Sequence, residues 1–238
     1  MTKLSKYIAQ AGYSSRRGAT ELIKSGAVKV NGTVVTQPFY EVQEKDAVKV
    51  NNKLIVQQKK LYLLFNKPQD TICTLSDPQD RNTIAHFFKH IPQRLYPIGR
   101  LDRNTTGLII MTNDGELAQK LSHPKYEIPK TYTVTLHRPI TEQDLDHLKK
   151  GIMLHDGPMK VDDVKVVSIQ APKTVIVTIH SGRNHIIKRL FGALKYFVKK
   201  LDRPNIAGLT KKGITVGTYR ELTEKEIEKL KNYSDKNK

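Results

Sequence analysis

Gly99-Arg100-Leu101-Asp102-Arg103-Asn104-Thr105-Thr106-Gly107-Leu108-Ile109-Ile110-Met111-Thr112-Asn113-Asp114-Gly115 is the stretch from which the remainder of the chain is read. Leu108 to Thr112 is an unbroken run of apolar residues and Thr, the pattern of a strand buried on both faces. Asn113-Asp114-Gly115 closes that run as a turn. Ahead of it, Asp102 sits between Arg100 and Arg103 and just before a Thr-Thr-Gly turn. A charged loop leading into a buried strand holds a reactive group rigidly at a surface cleft.

Towards the N-terminus, residues 1–60 read as a separate small module. Leu4, Ile8 and Ala11 keep helical spacing, and Gly12 stops the helix. Ser14 or Ser15 caps a second helix that carries Leu22 and Ile23 and ends before Gly26. Val28 to Val30, Asn31-Gly32 and Thr33 to Val35 predict a hairpin with a type I′ turn, followed by a β segment at Ala47 to Val50. The polar stretch from Asn51 to Lys60 reads as a linker. Lys-Leu-Ser-Lys-Tyr-Ile-Ala-Gln-Ala-Gly-Tyr-Ser-Ser-Arg-Arg (residues 3–17) within two helices and a hairpin resembles the S4-like RNA-binding domain. That resemblance implies an RNA-binding role for Lys3, Lys6, Arg16, Arg17, Lys24 and Lys29.

Residues 61–230 form the second expected domain, and residues 231–238 a polar tail. Leu61 to Phe65 reads as a buried strand ending at Asn66-Lys67-Pro68. A short helix is expected at Ile84 to Lys89, and longer ones at Glu116 to Leu121 and Asp144 to Lys150. Lys130 to Leu136, Val164 to Ile169 and Thr174 to Ile179 read as strands. Ser181-Gly182-Arg183 opens a helix from Asn184 that turns Lys188 and Arg189 outward. Thr223 and Glu226 fit a capping box for a last helix. Helices and strands are mixed without βαβ alternation, so the fold class is α+β with a mixed, mainly antiparallel sheet.

Lys and Arg total 41 against 23 Asp and Glu, a formal net charge of +18 in 238 residues. That surplus favours a polyanionic partner through counterion release and steering. No apolar run is long enough to span a bilayer, and no broad apolar face on a basic helix fits a membrane surface. The start of the chain lacks the apolar core of a secretory signal, which predicts a cytosolic protein. Cys73 is the single cysteine, so no intrachain disulfide or cysteine zinc site is expected.

Phosphate-cradling glycine motifs are absent, and the eight histidines show no zinc-protease spacing. Asp102 and Asp114 stand twelve residues apart across a turn and a strand, too far to act as a carboxylate pair. What remains is one carboxylate among cations. An ordinary carboxylate is ionised at pH 7 and suits nucleophilic attack or stabilisation of a cationic sugar. A structural Asp–Arg bridge is the alternative that the residues alone leave open.

The run Gly-Arg-Leu-Asp, Thr-x-Gly-Leu-Ile-Ile-Met-Thr-Asn-Asp-Gly resembles the signature of the RsuA/RluB/RluE/RluF branch of pseudouridine synthases, and within it the RluB type. The likeness extends through Asn66-Lys67-Pro68, Lys130-Thr131-Tyr132, Gly182-Arg183-Asn184-His185 and Gly217-Thr218-Tyr219-Arg220-Glu221-Leu222. It implies an rRNA-modifying isomerase, with 23S rRNA as the expected substrate, acting as a monomer without cofactor or metal. The resemblance makes Asp102 the nucleophile, Tyr132 the residue stacked on the uracil, and Arg183 the partner of Asp102. Arg100 would hold the flipped nucleotide; Arg103, Lys130, Lys188 and Arg189 are the other substrate-binding candidates. Flipping costs a few kcal/mol, least at an unpaired site. The chain departs from the family pattern at Ile186, where Gln is usual, at Leu190, at Gln69-Asp70 and at Ala207-Gly208. None of these removes a proposed catalytic group. Two rivals follow: a 16S rRNA enzyme of the same branch, and a non-catalytic rRNA-binding assembly factor.

Overall fold

The computed structural model describes residues 1–79, 81–168, 170 and 172–233. The expected strand residue Ile169 and residues 234–238 of the expected tail lie outside the described residues. The chain divides into two compact units, residues 1–61 with 91–95 and 113–115, and the remainder.

The first unit contains β1 (Thr2–Lys3), α1 (Leu4–Gln10), α2 (Arg16–Lys24), β2 (Val28–Val30), β3 (Thr33–Val34), β4 (Glu41–Val42), β5 (Val48–Val50) and β6 (Lys53–Leu54). Ser15 caps α2 by accepting from the Gly18 N–H at 3.0 Å. Gly26 follows that helix with φ +76°, a backbone state open to glycine at little cost. Asn31 and Gly32 have φ of 51° and 87°, as a type I′ hairpin requires. Antiparallel strands run in the order β3-β2-β5-β6. Leu4, Ile8, Ala19 and Ile23 of the helices pack on Val28, Val30, Val48 and Val50, forming one apolar core.

The expected linker is shorter than its polarity suggested. Asn51 and Asn52 adopt φ of 48° and 64° and form a second tight turn into β6, and Ile55 is buried. Asparagine tolerates the left-handed region, so a polar Asn-Asn pair marks a hairpin here.

In the second unit follow β7 (Tyr62–Lys67), β8 (Tyr96–Ile98), β9 (Thr106–Thr112), α3 (Gly115–Ser122), β10 (Lys130–Leu136), α4 (Glu142–Lys150), β11 (Ile152–Leu154) and β12 (Gly157–Met159). The chain continues through β13 (Asp163–Val166), β14 (Thr174–Ile179), α5 (Ile186–Ala193), β15 (Val198–Ile206), β16 (Leu209–Thr210), β17 (Tyr219–Glu221) and α6 (Glu224–Asn232). The described strands form a mixed sheet in the order β13-β14-β10-β15-β9-β7-β17, with β8 on β9 and β16 on β15. All of its pairings are antiparallel except β9 with β15. One apolar cluster joins α4 and α5 to β10 and β14, and a second joins α3 and α6 to β7 and β9.

β9 is the inner strand its composition predicts, with Leu108 to Met111 all buried. Gly107 explains the Thr-Thr-Gly turn ahead of it. Its φ is +115°, and a Cβ there would lie 2.5 Å from the Arg203 carbonyl oxygen. Only glycine lets β9 and β15 come this close. The segment from Ile84 to Phe88 is a 3₁₀ helix. α5 starts at Ile186 instead of Asn184, because His185 is left-handed at φ 49°. Thr223 and Glu226 do form the capping box of α6, which runs on to Asn232 and so takes in the first residues of the expected tail.

Candidate active site

Asp102 lies on the loop between β8 and β9, in a cleft of about 700 Å³ formed within the second unit. That volume is in the range of pockets that hold a nucleotide-sized ligand. Loop geometry is fixed from below by a buried cation. The Lys67 ammonium, at the end of β7 and fully buried, donates to the carbonyls of Pro68 (2.9 Å), Thr71 (2.8 Å) and Arg103 (3.1 Å). All three N–H donors are thus spent on backbone. Burial pushes the Lys67 pKa down to about 8, while the nearby Cys73, Asp102 and Asp70 act in the opposite direction. The Leu101 N–H donates to the Cys73 sulfur (3.4 Å), and the Thr105 N–H to the Asp102 carbonyl (3.0 Å). Burial raises the Cys73 pKa.

Both oxygens of the Asp102 carboxylate are engaged. Lys188 Nζ lies 2.8 Å from one and His185 Nε2 3.3 Å from the other. His185 is the residue before α5 and Lys188 lies in its first turn, so both partners of the carboxylate come from the opening of one helix. A left-handed, non-glycine residue at such a position is backbone strain placed beside reactive groups.

Arg183, expected to pair with Asp102, goes elsewhere. Its Nη1 donates to the carbonyls of Gly157 (3.3 Å) and Pro158 (3.2 Å) and stands 3.6 Å from Asp156. The turn between β11 and β12 captures this guanidinium, leaving Lys188 as the cation on Asp102. The outward reading of Lys188 is corrected in the same way: its outer face of α5 meets the Asp102 loop. Arg189 binds Asp156 through two nitrogens, at 2.8 to 3.0 Å. Those bonds hold the Asp156 carboxyl below its ordinary pKa. Arg103 likewise pairs with Asp70 on the surface.

Tyr132 and Lys130 of β10 line the same cleft as Asp102, Arg100, Arg183 and Lys188. Lys130 Nζ donates to the Ile128 carbonyl at 2.9 Å, and burial together with Arg203 lowers its pKa to about 8. Tyr132 is buried, and its hydroxyl accepts from Arg203 Nη1 at 3.3 Å. Arg203 is 2% exposed, its Nε donates to the Leu108 carbonyl at 2.8 Å, and its Nη2 has no hydrogen-bond partner among the described residues. An unpaired N–H on a buried cation is costly.

Sequence reasoning missed Arg203, Lys67 and His185 as parts of the site. Arg203 stands before a proline in a charged stretch that reads as loop. In the sequence Lys67 is only a motif position ahead of Pro68. In the first unit, Lys3, Arg16, Arg17, Lys24 and Lys29 have no carboxylate partner among the described residues. Arg16 and Arg17 occupy the first turn of α2, the end where the helix dipole disfavours cations.

The S4 domain model matches residues 2–48, and the RNA pseudouridylate synthase model matches residues 61–193. The chain is 43% identical over 241 residues to the ribosomal large subunit pseudouridine synthase B of Bacillus subtilis, covering 100% of this chain and 99% of that protein. It is 40% identical over 231 residues to an uncharacterized RNA pseudouridine synthase of Aquifex aeolicus, covering 96% and 93%. A crystal structure of a pseudouridylate synthase matches with a TM-score of 0.70 and 33% identity, over 97% of this chain and 100% of the other.

Proposed function

The chain belongs to the RNA pseudouridylate synthase family, with an S4 domain ahead of the catalytic domain, and from that premise we propose that it isomerises a uridine of large-subunit ribosomal RNA with Asp102 as nucleophile. The observation that carries this reading is the Asp102 carboxylate, held by Lys188 and His185 in a cleft shared with Tyr132. Both oxygens are positioned, and the loop beneath is tied down by Lys67. Such preorganisation brings a reacting carbon and a carboxylate into attack geometry.

The overall change balances without any outside group. The bond from uracil N1 to ribose C1′ breaks, a C5–C1′ bond forms, C5 gives up a proton and N1 takes one. Asp102 forms and later releases a covalent bond to the substrate. Tyr132 packs on the uracil as it turns, and Arg203 fixes the Tyr132 hydroxyl from behind. Arg100 and Lys130 supply positive charge to the flipped nucleotide. Arg183 orders the β11–β12 turn at the rim. Residues 1–60 anchor the RNA, and residues 61–230 carry out the reaction. Support for large-subunit RNA comes from the Bacillus subtilis relative, which aligns along its whole length.

Tritium release from C5-labelled uridine tests the reading on 23S and 16S transcripts separately. Release from 23S rRNA by the native chain, and none by folded Asp102→Asn protein, is the expected result. Release by Asp102→Asn removes the nucleophile assignment. Release from 16S rRNA alone removes the large-subunit assignment. Tight binding to both RNAs without release from either leaves the assembly-factor reading standing in its place.

A further inference from the structure

At the end of β10 away from Lys130, the turn from α5 into β15 holds an aromatic ring out in solvent. Phe197 is 76% exposed. It is nonetheless fixed: its N–H donates to His137 Nδ1 at 3.1 Å, and its carbonyl accepts from the His137 N–H at 3.0 Å. The two rings meet near edge-on, centroids 5.3 Å apart. A rigidly presented, exposed phenylalanine forgoes the stabilisation of burial.

Cations surround it. Lys195 and Lys199 flank Phe197 in sequence, Arg138 follows His137, and the carbonyl of Lys173 accepts from the N–H of Leu136, the residue before His137. The Arg138 guanidinium lies over the Tyr196 ring at 4.3 Å. Lys173, Lys195 and Lys199 form no ion pair among the described residues. The nearby carboxylate, Asp144, is occupied by the hydroxyls of Tyr196 and Thr141, each at 2.7 Å.

We propose that Phe197 and its surrounding lysines form a second RNA-contacting site, in which the ring stacks on an unpaired base and the cations hold the flanking phosphates. Aromatic platforms among cations are how proteins grip single strands whatever their sequence. A protein or lipid partner needs a contiguous apolar face, whereas Phe197 has Lys195, Lys199 and Arg138 as neighbours in the chain and across its strand pairing. Lys130 and Leu136 stand six residue steps apart, about 20 Å along β10. The base on Phe197 is therefore a different nucleotide from the one in the cleft. This inference rests on the RNA-modifying function proposed above and adds a remote grip on the same molecule.

The test uses full chains of Phe197→Ala and of the double variant Lys195→Gln/Lys199→Gln, with thermal unfolding matched to the native protein. The probe is transcribed 23S rRNA, with affinity read at several salt concentrations. Phe197→Ala is expected to weaken binding about tenfold. The double variant is expected to lower the slope of log affinity against log salt by about 2. Both should raise KM for tritium release while leaving kcat unchanged, and bromouridine-substituted 23S rRNA should photo-crosslink to the peptide carrying Phe197. Unchanged affinity and slope in both variants overturn the site. So does loss confined to binding of anionic vesicles. A native chain that binds and crosslinks through Phe197 but releases no tritium from any rRNA overturns the proposed isomerisation and leaves this site intact.

Discussion

The two units of the chain handle positive charge in opposite ways. In the first, helices and strands close on an apolar core, and Lys3, Arg16, Arg17, Lys24 and Lys29 stand on the surface without a carboxylate partner among the described residues. In the second, cations go inside: Lys67 is fully buried, Arg203 nearly so, and each is tied to backbone carbonyls near the Asp102 loop or the strand that follows it. Exposed charges act as a sum, each contributing a screened share. Buried charges act individually, because removing one leaves its partners without a bond in a place water does not reach. Affinity should therefore be divisible among many residues of the first unit, and catalysis concentrated in few of the second.

The largest expected effect lies in the second unit. Asp102→Asn should lower tritium release by about a thousandfold or more while binding to 23S rRNA changes little. A loss shared equally between binding and release would blur the contrast. Next comes Lys67→Met, which strips the ammonium from the carbonyls of Pro68, Thr71 and Arg103 under the Asp102 loop and, among the described residues, leaves only that of Arg103 a bond, from the Thr71 N–H. Urea unfolding should show a loss of about 2–4 kcal/mol. If that variant were as mild as a surface lysine change, the contrast between the units would fail.

In the first unit, Arg16→Gln/Arg17→Gln should weaken 23S rRNA binding several-fold and reduce the salt slope by about 2, with kcat unchanged. A total loss of binding from those two changes would mean that charge there is also concentrated. A smaller effect follows from Lys130. Its pKa of about 8 lies below the usual lysine value, so raising the pH from 7 to 9 should remove its charge and reduce the salt slope by about 1. Lys130→Arg should keep the slope constant over that interval.

The smallest effect is on stability in acid. Arg220, bound to Glu226 at 2.6 and 2.7 Å, holds the Glu226 pKa at about 2. A carboxylate with a lowered folded-state pKa contributes stability that is complete above its ordinary pKa of ~4.3 and is lost as pH falls towards 2. Arg220→Met should cost about 1 kcal/mol at pH 6, after allowance for the partial exposure of the pair. The difference should vanish near pH 2, as read from Tm against pH.

Local signals carried most of the element assignments. The Asn31-Gly32 turn, the cap at Ser15 and the capping box at Thr223 are chemistry within a few residues, and each stands where its sequence puts it. β15 was not legible. Its Val-Lys-Lys-Leu-Asp-Arg-Pro-Asn-Ile has charges and a proline, and it is a strand because β9 and β10 pair with it from either side. The site divides in the same way. Asp102 stands out as one carboxylate among cations, but its role, like that of Tyr132, comes only from the family resemblance. The cation on Asp102 does not: helical periodicity tells which side of α5 is apolar, and is silent about what meets the polar side. Lys188 and Arg183 are equally basic on paper, and only the position of the β11–β12 turn separates them.

The contact of Gly107 with Arg203 also bears on when the protein can work. Arg203 lies 95 residues beyond Leu108, whose carbonyl it binds. At synthesis rates of ~5–20 residues per second, that separation is about 5–20 s of translation. Until it has passed, Asp102 has no β15 beside its strand and Tyr132 no guanidinium behind it. A nascent chain on a ribosome, surrounded by ribosomal RNA, thus exposes its basic first unit while its cleft is still unbuilt. The order of synthesis makes the basic first unit before the strand that completes the cleft.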